Sequence, residues 1–196
     1  MKQILYLHGF LSCGAAVKAS TLSSYVKEHC PGFEVVAPNI IDDLDQSFSC
    51  IENFISNQAP NLVAVVGSSL GGYWSYRVAE KFMIPAVLLN PVVDISALLD
   101  KFKGTHVNIY TKHEFEVDPD ALGDALEVLQ PLSMQRKDNY MVLLGTEDEV
   151  LDYRVAKKFY DGCHVKILEG EDHRIKNFSG CCPDIMDFIV NKANNI

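Results

Sequence analysis

Short runs of apolar residues alternate along the chain with longer segments of helical periodicity. Residues 62–66 and 85–89 are apolar on both faces, which is typical of central strands in a parallel sheet. Because parallel strands need crossover connections, this alternation predicts an α/β fold in which helices cover the sheet. The predicted strands cover residues 3–7, 34–37, 62–66, 85–89, 140–144 and 164–168, and the predicted helices cover residues 16–29, 46–57, 70–82, 151–160 and 183–192.

The alternation weakens between residues 92 and 138. Two amphipathic segments, near residues 95–102 and 119–129, flank a polar stretch rich in His, Glu and Asp. This stretch lies between two predicted strands, where the loops of α/β folds carry function. The chain has 196 residues, and domains average about 150. We therefore expect a single domain over residues 1–196, with a cap-like insert at about residues 92–138.

Charge and cysteine content disfavour several classes of protein. Lys and Arg total 17 against 26 Asp and Glu, and the resulting net charge of −9 repels nucleic acid. The six cysteines are irregularly spaced and form no C-x-x-C pair, so we expect reduced thiols and no metal site. The apolar run ending at residue 7 is too short for a signal peptide or a membrane span, so we expect a cytoplasmic protein without a membrane partner.

A G-x-S-x-G motif centred on Ser69 lies between the strongest predicted strand and a helix. A sharp turn from strand to helix exposes the side chain at its apex, and glycines on either side let the backbone approach closely. Ser69 is therefore predicted to be a nucleophile. The alternative is a glycine-rich phosphate-binding turn, but no Lys-Ser/Thr pair follows. Ser68 precedes the apex and is expected to point elsewhere.

Two backbone N–H groups are predicted to form an oxyanion hole. Acyl transfer needs one donor from the residue after the nucleophile and one from the loop of a neighbouring strand. Leu70 would supply the first N–H group. Phe10, in the segment His8-Gly9-Phe10 after the first predicted strand, would supply the second. We expect His8 to shape this loop through hydrogen bonds.

A serine hydroxyl also needs a base that takes its proton, and several histidines compete for this role. His29 lies at a predicted helix end and His164 in or beside a strand, so both are expected to be structural. His106 and His113 lie in the cap-like insert, where they could contact a substrate. His173 follows the last predicted strand, which is the place of the base in the chain order Ser, Asp or Glu, His of α/β-hydrolases. We therefore predict that His173 is the base.

The carboxylate that orients this base is predicted to follow the strand at residues 140–144. Asp148 lies just past that strand and before His173, as the chain order requires. An alternative role for Asp148 is to cap the helix predicted at residues 151–160. Other candidates for the acid are Glu147, Glu149, Asp94 and Asp172.

Five segments of the chain together carry a family resemblance. They are Tyr6-Leu7-His8-Gly9-Phe10, Gly67-Ser68-Ser69-Leu70-Gly71-Gly72-Tyr73, Pro85-Ala86-Val87 with Asn90-Pro91, Asp148-Glu149-Val150-Leu151-Asp152-Tyr153-Arg154, and Glu169-Gly170-x-x-His173. They resemble the small bacterial YqiA/YcfP-type esterases over nearly the whole chain, most weakly from about residue 103 to 137. The chain departs from the family at His8, where Gln is expected.

The resemblance implies a compact α/β-hydrolase fold, with a mostly parallel sheet of about six strands, helices on both faces and a small cap. It also implies the triad Ser69, Asp148 and His173, esterase activity on short acyl esters, and no metal or organic cofactor.

Together these observations predict a serine hydrolase that cleaves carboxylic esters of small or medium acyl groups through an acyl-enzyme. Its partner is then a small-molecule acyl ester or thioester. We expect the substrate to enter between the Ser69 turn and the cap, near Leu11, Tyr73, Trp74 and His113. Two alternatives stay open, an acyl-CoA thioesterase and a non-catalytic interaction protein with a vestigial triad.

Overall fold

The computed structural model describes residues 1–122 and 133–193. Its strands are β1 (Lys2–Leu7), β2 (Phe33–Val36), β3 (Leu62–Ser68), β4 (Ala86–Leu89), β5 (Gly104–Val107), β6 (Glu114–Val117), β7 (Tyr140–Gly145) and β8 (His164–Leu168). Six of them form a parallel sheet in the order β2-β1-β3-β4-β7-β8, and β5 and β6 form a separate antiparallel hairpin.

Helices connect most of these strands. None within the described residues is long and apolar enough to cross a membrane. The helices are α1 (Val17–His29), α2 (Leu44–Gln58), α3 (Leu70–Phe82), α4 (Ile95–Lys101), α5 (Pro119–Leu122), α6 (Tyr153–Phe159) and α7 (Phe178–Ala193). A short 3-10 helix at Lys137–Asn139 precedes β7.

The sheet has a buried core on each face. In β1, Ile4 and Tyr6 pack with residues of α1 and α7, while Leu5 and Leu7 pack on the opposite face with residues of α2 and α3. Successive side chains of a strand point to opposite faces, so a strand covered on both sides is apolar throughout. The predicted α/β fold, with a parallel six-stranded sheet and helices on both faces, is confirmed.

The β5–β6 hairpin lies in the polar stretch for which the sequence predicted no regular structure. Phe115 and Val117 are buried, whereas Glu114 and Glu116 are exposed, so β6 does alternate with the period of a strand. At four residues, this alternation was too short to stand out from the surrounding polar residues. The hairpin is attached to the main sheet's loops through Asn108, whose Nδ2 donates to the Ser12 carbonyl oxygen at 3.0 Å.

The two predicted segments of the cap-like insert map onto two elements. The segment near residues 95–102 corresponds to α4, and the segment at 119–129 begins as α5. Residues 123–129 of that prediction lie outside the described residues.

The last helix, α7, begins at Phe178 rather than at residue 183. Pro183 therefore lies inside the helix, where its ring removes a backbone hydrogen bond. Phe178, Cys181 and Cys182 are all buried against the sheet. Burial of these side chains outweighs the unfavourable proline, because tertiary packing supplies most of the stability of a helix in a folded protein.

We expect Pro183→Ala to raise the free energy of unfolding by about 1–3 kcal/mol, because alanine restores the missing N–H donor and favours the helix. Urea denaturation measures this change. Asp187→Ala, at an exposed position of the same helix, is the control and should stay within about 0.5 kcal/mol of the parent. If Pro183→Ala is no more stable than the parent, Pro183 does not lie inside α7 as described.

Candidate active site

Ser69 occupies a strained backbone conformation at the junction of β3 and α3. Its φ is 57° and its ψ is −121°, a region that residues with a side chain rarely adopt. Its N–H group donates to the Leu89 carbonyl oxygen at 2.9 Å, which ties the turn to the end of β4. The side chain of Ser69 is partly exposed, while Ser68 is buried and hydrogen-bonded to Tyr6. The expectation that Ser68 points elsewhere agrees with this placement.

Two glycines make the Ser69 turn sterically possible. A Cβ atom on Gly67 would lie 2.1 Å from the Gly71 carbonyl oxygen, and one on Gly71 would lie 2.0 Å from the Leu7 carbonyl oxygen. Both distances are far below contact, and the clashing atoms are backbone that cannot rotate away. Any larger residue would therefore push α3 away from β1 and β3.

The loop after β1 lies against the Ser69 turn. A Cβ atom on Gly9 would be 3.2 Å from the Ser69 Cβ atom, so the two segments are in close contact. The hydrogen bonds of the described residues leave the backbone N–H groups of Phe10 and Leu70 unpaired. Leu70 opens α3, where N–H groups have no partner within the helix. Two free donors thus lie on the two segments that meet at Ser69.

His8 holds this loop in shape. The Ile40 N–H group donates to His8 Nε2 at 2.9 Å, and Nδ1, which must then carry the proton, donates to the Gly9 carbonyl oxygen at 2.9 Å. Burial lowers the pKa of His8, which favours the neutral ring that this pattern requires.

Asp148 and His173 form a hydrogen-bonded pair. His173 Nδ1 lies 2.9 Å from Asp148 Oδ1 and 2.8 Å from Oδ2. The Asp148 side chain is only 2% exposed, and its Oδ1 also accepts the N–H groups of Val150 and Leu151 at 2.8 Å each. A buried carboxylate is stabilised by such donors. Asp148 therefore contacts the ring and also caps the turn that follows it.

The other candidate carboxylates make different contacts. Glu149 accepts the backbone N–H group of His173, Asp94 accepts that of Ser96, and Asp172 accepts that of Arg174. Glu147 is exposed. Among the hydrogen bonds of the described residues, the His173 ring bonds to the carboxylate of Asp148.

Asn90 joins the ends of three strands and was missed by the sequence reasoning. Its Oδ1 accepts the Gly145 N–H group at 2.8 Å, and its Nδ2 donates to the carbonyl oxygens of Asp172 and His173 at 3.1 and 3.2 Å. The side chain is buried, and the residue has a positive φ of 41°. The only local signal was its place before Pro91 at the end of a strand.

The three catalytic candidates and Asn90 therefore follow four adjacent strands. Ser69 follows β3, Asn90 follows β4, Asp148 follows β7, and His173 follows β8. Because the carboxyl ends of parallel strands meet at one edge of the sheet, these residues share that edge. The described residues contain no hydrogen bond between the Ser69 hydroxyl and the His173 ring, and such bonds often tighten only when substrate binds.

Lys18 places a positive charge beside the His173 loop. Its Nζ donates to the Arg174 carbonyl oxygen at 3.1 Å. Burial lowers the pKa of Lys18 to about 8, against the opposing effect of the Asp172 and Asp148 carboxylates. The sequence offered no signal for Lys18, because the contact joins residues far apart in the chain.

The predicted substrate contacts are found in different environments. Tyr73 and Trp74 are each 1% exposed and belong to the core between α3 and the sheet. Leu11 is partly buried and has a positive φ of 53°. His113 is half-exposed, with Nε2 3.2 Å from Asp43 Oδ2 at the start of α2. The other histidine of the insert, His106, packs its ring edge-on against the ring of Phe10, and the two ring centroids lie 5.3 Å apart.

Comparison with known proteins assigns the chain to a protein family. Residues 3–190 match the family described as "Uncharacterised protein family (UPF0227)". The chain belongs to this family. UPF0227 contains the YqiA/YcfP-type proteins, so the resemblance inferred from the sequence is confirmed. A UPF0227 protein of Citrobacter koseri is 23% identical over 180 residues, which are 90% of this chain and 92% of that protein.

Solved structures of similar fold are α/β-hydrolases. Est1E from Butyrivibrio proteoclasticus, bound to ferulic acid, matches with a TM-score of 0.71 and 13% identity over 98% of this chain and 89% of its own. Mouse alpha/beta hydrolase domain-containing protein 10 matches with a TM-score of 0.70 and 16% identity, over 97% of this chain and 90% of its own. A monoacylglycerol lipase of Paleococcus ferrophilus matches with a TM-score of 0.69 and 14% identity, over 97% of this chain and 94% of its own. This UPF0227 chain therefore has the α/β-hydrolase fold.

We expect Asn90→Ala to lower the free energy of unfolding by about 2–4 kcal/mol, since it removes three hydrogen bonds and leaves buried backbone groups unpaired. Chemical denaturation measures the loss. Asn57→Ala, at an exposed position of α2, is the control and should change the stability by less than about 0.5 kcal/mol. If the two variants are equally stable, Asn90 does not join the strand ends as described.

The lowered pKa of His8 predicts a pH-dependent contribution to stability. Below the unfolded-state pKa of about 6.5, the unfolded chain binds a proton at His8 that the folded chain resists, so stability falls as the pH falls from 6.5. His8→Gln cannot titrate at this position. The difference in unfolding free energy between wild type and His8→Gln should therefore shrink by up to about 1.4 kcal/mol between pH 7.5 and 5.5. Urea denaturation at both values tests this, and a constant difference contradicts it.

Proposed function

We propose that this protein is a serine hydrolase that cleaves carboxylic esters of small or medium acyl groups. The observation that carries the proposal is the buried Asp148–His173 pair on the same sheet edge as the strained Ser69 turn. A positive φ at a residue with a side chain and a carboxylate 2% exposed both cost stability. Such costs concentrate at functional sites, which favours catalysis over a vestigial triad.

The proposed reaction gives each group a role. Ser69 Oγ attacks the ester carbonyl carbon while His173 Nε2 takes the hydroxyl proton, and Asp148 holds Nδ1–H and stabilises the imidazolium. The Phe10 and Leu70 N–H groups donate to the oxyanion of the tetrahedral intermediate.

Collapse of this intermediate breaks the bond to the alcohol, and the imidazolium protonates the leaving oxygen. Water then attacks the acyl-enzyme, with His173 again as the base, and releases the carboxylic acid and Ser69. Both half-reactions use the same pair of donors and the same base.

Structures of similar fold support ester chemistry. The Paleococcus ferrophilus protein is named as a monoacylglycerol lipase, and Est1E was solved with ferulic acid bound. An esterase domain from Rhodothermus marinus matches this chain with a TM-score of 0.71 and 16% identity. At these identities the likeness extends to the fold, and the residues of this chain carry the argument for the reaction.

We expect Ser69→Ala and Asp148→Asn each to lower kcat/KM for p-nitrophenyl butyrate by about a thousandfold or more. The first removes the nucleophile and the second leaves His173 without its carboxylate partner. The initial rate of p-nitrophenolate release measures the effect. A fluorophosphonate probe should label wild type and not Ser69→Ala.

The matched control is Ser68→Ala, which removes the neighbouring hydroxyl that bonds to Tyr6. It should keep kcat/KM within about tenfold of wild type, because its hydroxyl does not reach the reacting atoms. Equal rates for wild type and Ser69→Ala would end the proposal. A parallel series of acyl-CoA substrates distinguishes an esterase from a thioesterase.

A further inference from the structure

An apolar pocket with a volume of about 200 Å³ is lined in part by residues whose backbone bonds to Ser69 and Asp148. It lies between the loop after β4, helix α4, and the segment from Val150 to Ala156. We propose that this pocket binds the acyl chain of the substrate, an unbranched aliphatic chain of about six to eight carbons. The proposal rests on the proposed ester hydrolysis and specifies where its acyl group lies.

The position of the pocket supports this assignment. Its walls continue directly from the groups that hold the nucleophile and the acid. The Val92 N–H group donates to the Ser69 carbonyl oxygen at 3.1 Å, and those of Val150 and Leu151 donate to Asp148 at 2.8 Å. The pocket thus lies over the carboxyl ends of β4 and β7, the two strands between those that carry Ser69 and His173. Ligands of open parallel sheets bind at this edge.

The chemistry of the lining favours an aliphatic ligand. Its interior is formed mainly by Val92, Leu98, Leu151 and Ala156. The polar groups at its rim are already engaged: Lys101 Nζ donates to the Val150 carbonyl oxygen at 2.9 Å, and Asp152 accepts the Arg154 N–H group at the start of α6.

A ligand rich in polar groups would find few partners there, whereas an alkyl chain loses none. Two carboxylates at the rim, Asp94 and Asp152, also disfavour an anionic chain end.

The size of the pocket sets the length of the chain. An apolar cavity of about 150 Å³ holds a benzene molecule, so about 200 Å³ accommodates an alkyl chain of six to eight carbons. A second groove, of about 250 Å³, lies along α2 and is lined by Asn39, Asn53, Asn57 and other residues. None of its lining residues bonds to Ser69, Asp148 or His173. It therefore serves as a control site of similar size.

The first test is the dependence of kcat/KM on acyl length, measured with p-nitrophenyl acetate, butyrate, hexanoate and octanoate. Each buried methylene should raise kcat/KM about fourfold until the pocket is full. Val155 is 55% exposed at the mouth of the pocket, so Val155→Trp narrows the entrance without burying the new ring in the core.

We expect Val155→Trp to lower kcat/KM for the hexanoate and octanoate at least tenfold and for the acetate less than threefold. Leu98→Ala enlarges the interior and should shift the optimum to a longer chain. Asn53→Trp, which adds the same ring at the other groove, should leave the profile unchanged. A profile of Val155→Trp that parallels wild type at every length overturns the proposal.

A second measurement does not depend on turnover. Octanamide, which is neutral and resembles the ester, is titrated into Ser69→Ala by calorimetry, with acetamide as the short-chain reference. Octanamide should bind, and Val155→Trp in the same background should weaken it at least tenfold, while Asn53→Trp should not.

The two measurements distinguish the two proposals. Binding sensitive to Val155→Trp without hydrolysis by wild type would refute the proposed function and retain the pocket. Hydrolysis with a length profile and binding indifferent to Val155→Trp would refute the pocket and retain the function. Absence of both hydrolysis and octanamide binding would refute both.

Discussion

Where β3 turns into α3, the backbone of Gly71 packs so closely against the end of β1 that a Cβ atom would lie 2.0 Å from the Leu7 carbonyl oxygen. This approach forces the turn into the strained conformation of Ser69, whose φ is 57°. It also brings the loop after β1 beside Ser69, with the unpaired N–H groups of Phe10 and Leu70 on the two facing segments. The partly exposed Ser69 side chain and its two candidate oxyanion donors therefore depend on a single packing contact.

A second contact extends this arrangement to the other side of the sheet. Asn90, at the end of β4, bonds to the backbone after β7 and to the loop after β8 that carries His173. Because all polar groups of its buried amide are used, the loop is held in one position relative to the central strands. The pairing of His173 with Asp148 then requires only that the loop after β7 bring Asp148 to the imidazole ring. Gly145 permits this, since a Cβ atom there would lie 2.3 Å from the Glu171 carbonyl oxygen.

Although the chain carries a net charge of −9, the buried polar groups of the site are stabilised by hydrogen bonds from their neighbours. Asp148 is buried but accepts two backbone N–H groups in addition to the His173 ring, which offsets much of its desolvation. His8 is kept neutral by burial, so its ring can accept the Ile40 N–H group and shape the loop beside Ser69. Beyond these groups the surface becomes apolar, toward the pocket between α4 and α6. The polar groups of the candidate site thus border the apolar pocket for which an alkyl chain is proposed.

The sequence by itself determined the α/β alternation, five of the helices, the turn at Ser69 and the chain order of the candidate residues Ser69, Asp148 and His173. These features depend on local periodicity and on residues a few positions apart, which a single chain displays directly. It predicted Asp148 as the partner of His173 with four other carboxylates as alternatives, overlooked Asn90 and Lys18, and placed the start of α7 too late at Pro183. Only the tertiary structure resolved these points, because each depends on contacts between segments far apart in the chain, or on burial that outweighs a local preference. The close backbone contacts at Gly71 and Gly145 in the folded chain also decided which residues can reach one another at the edge of the sheet.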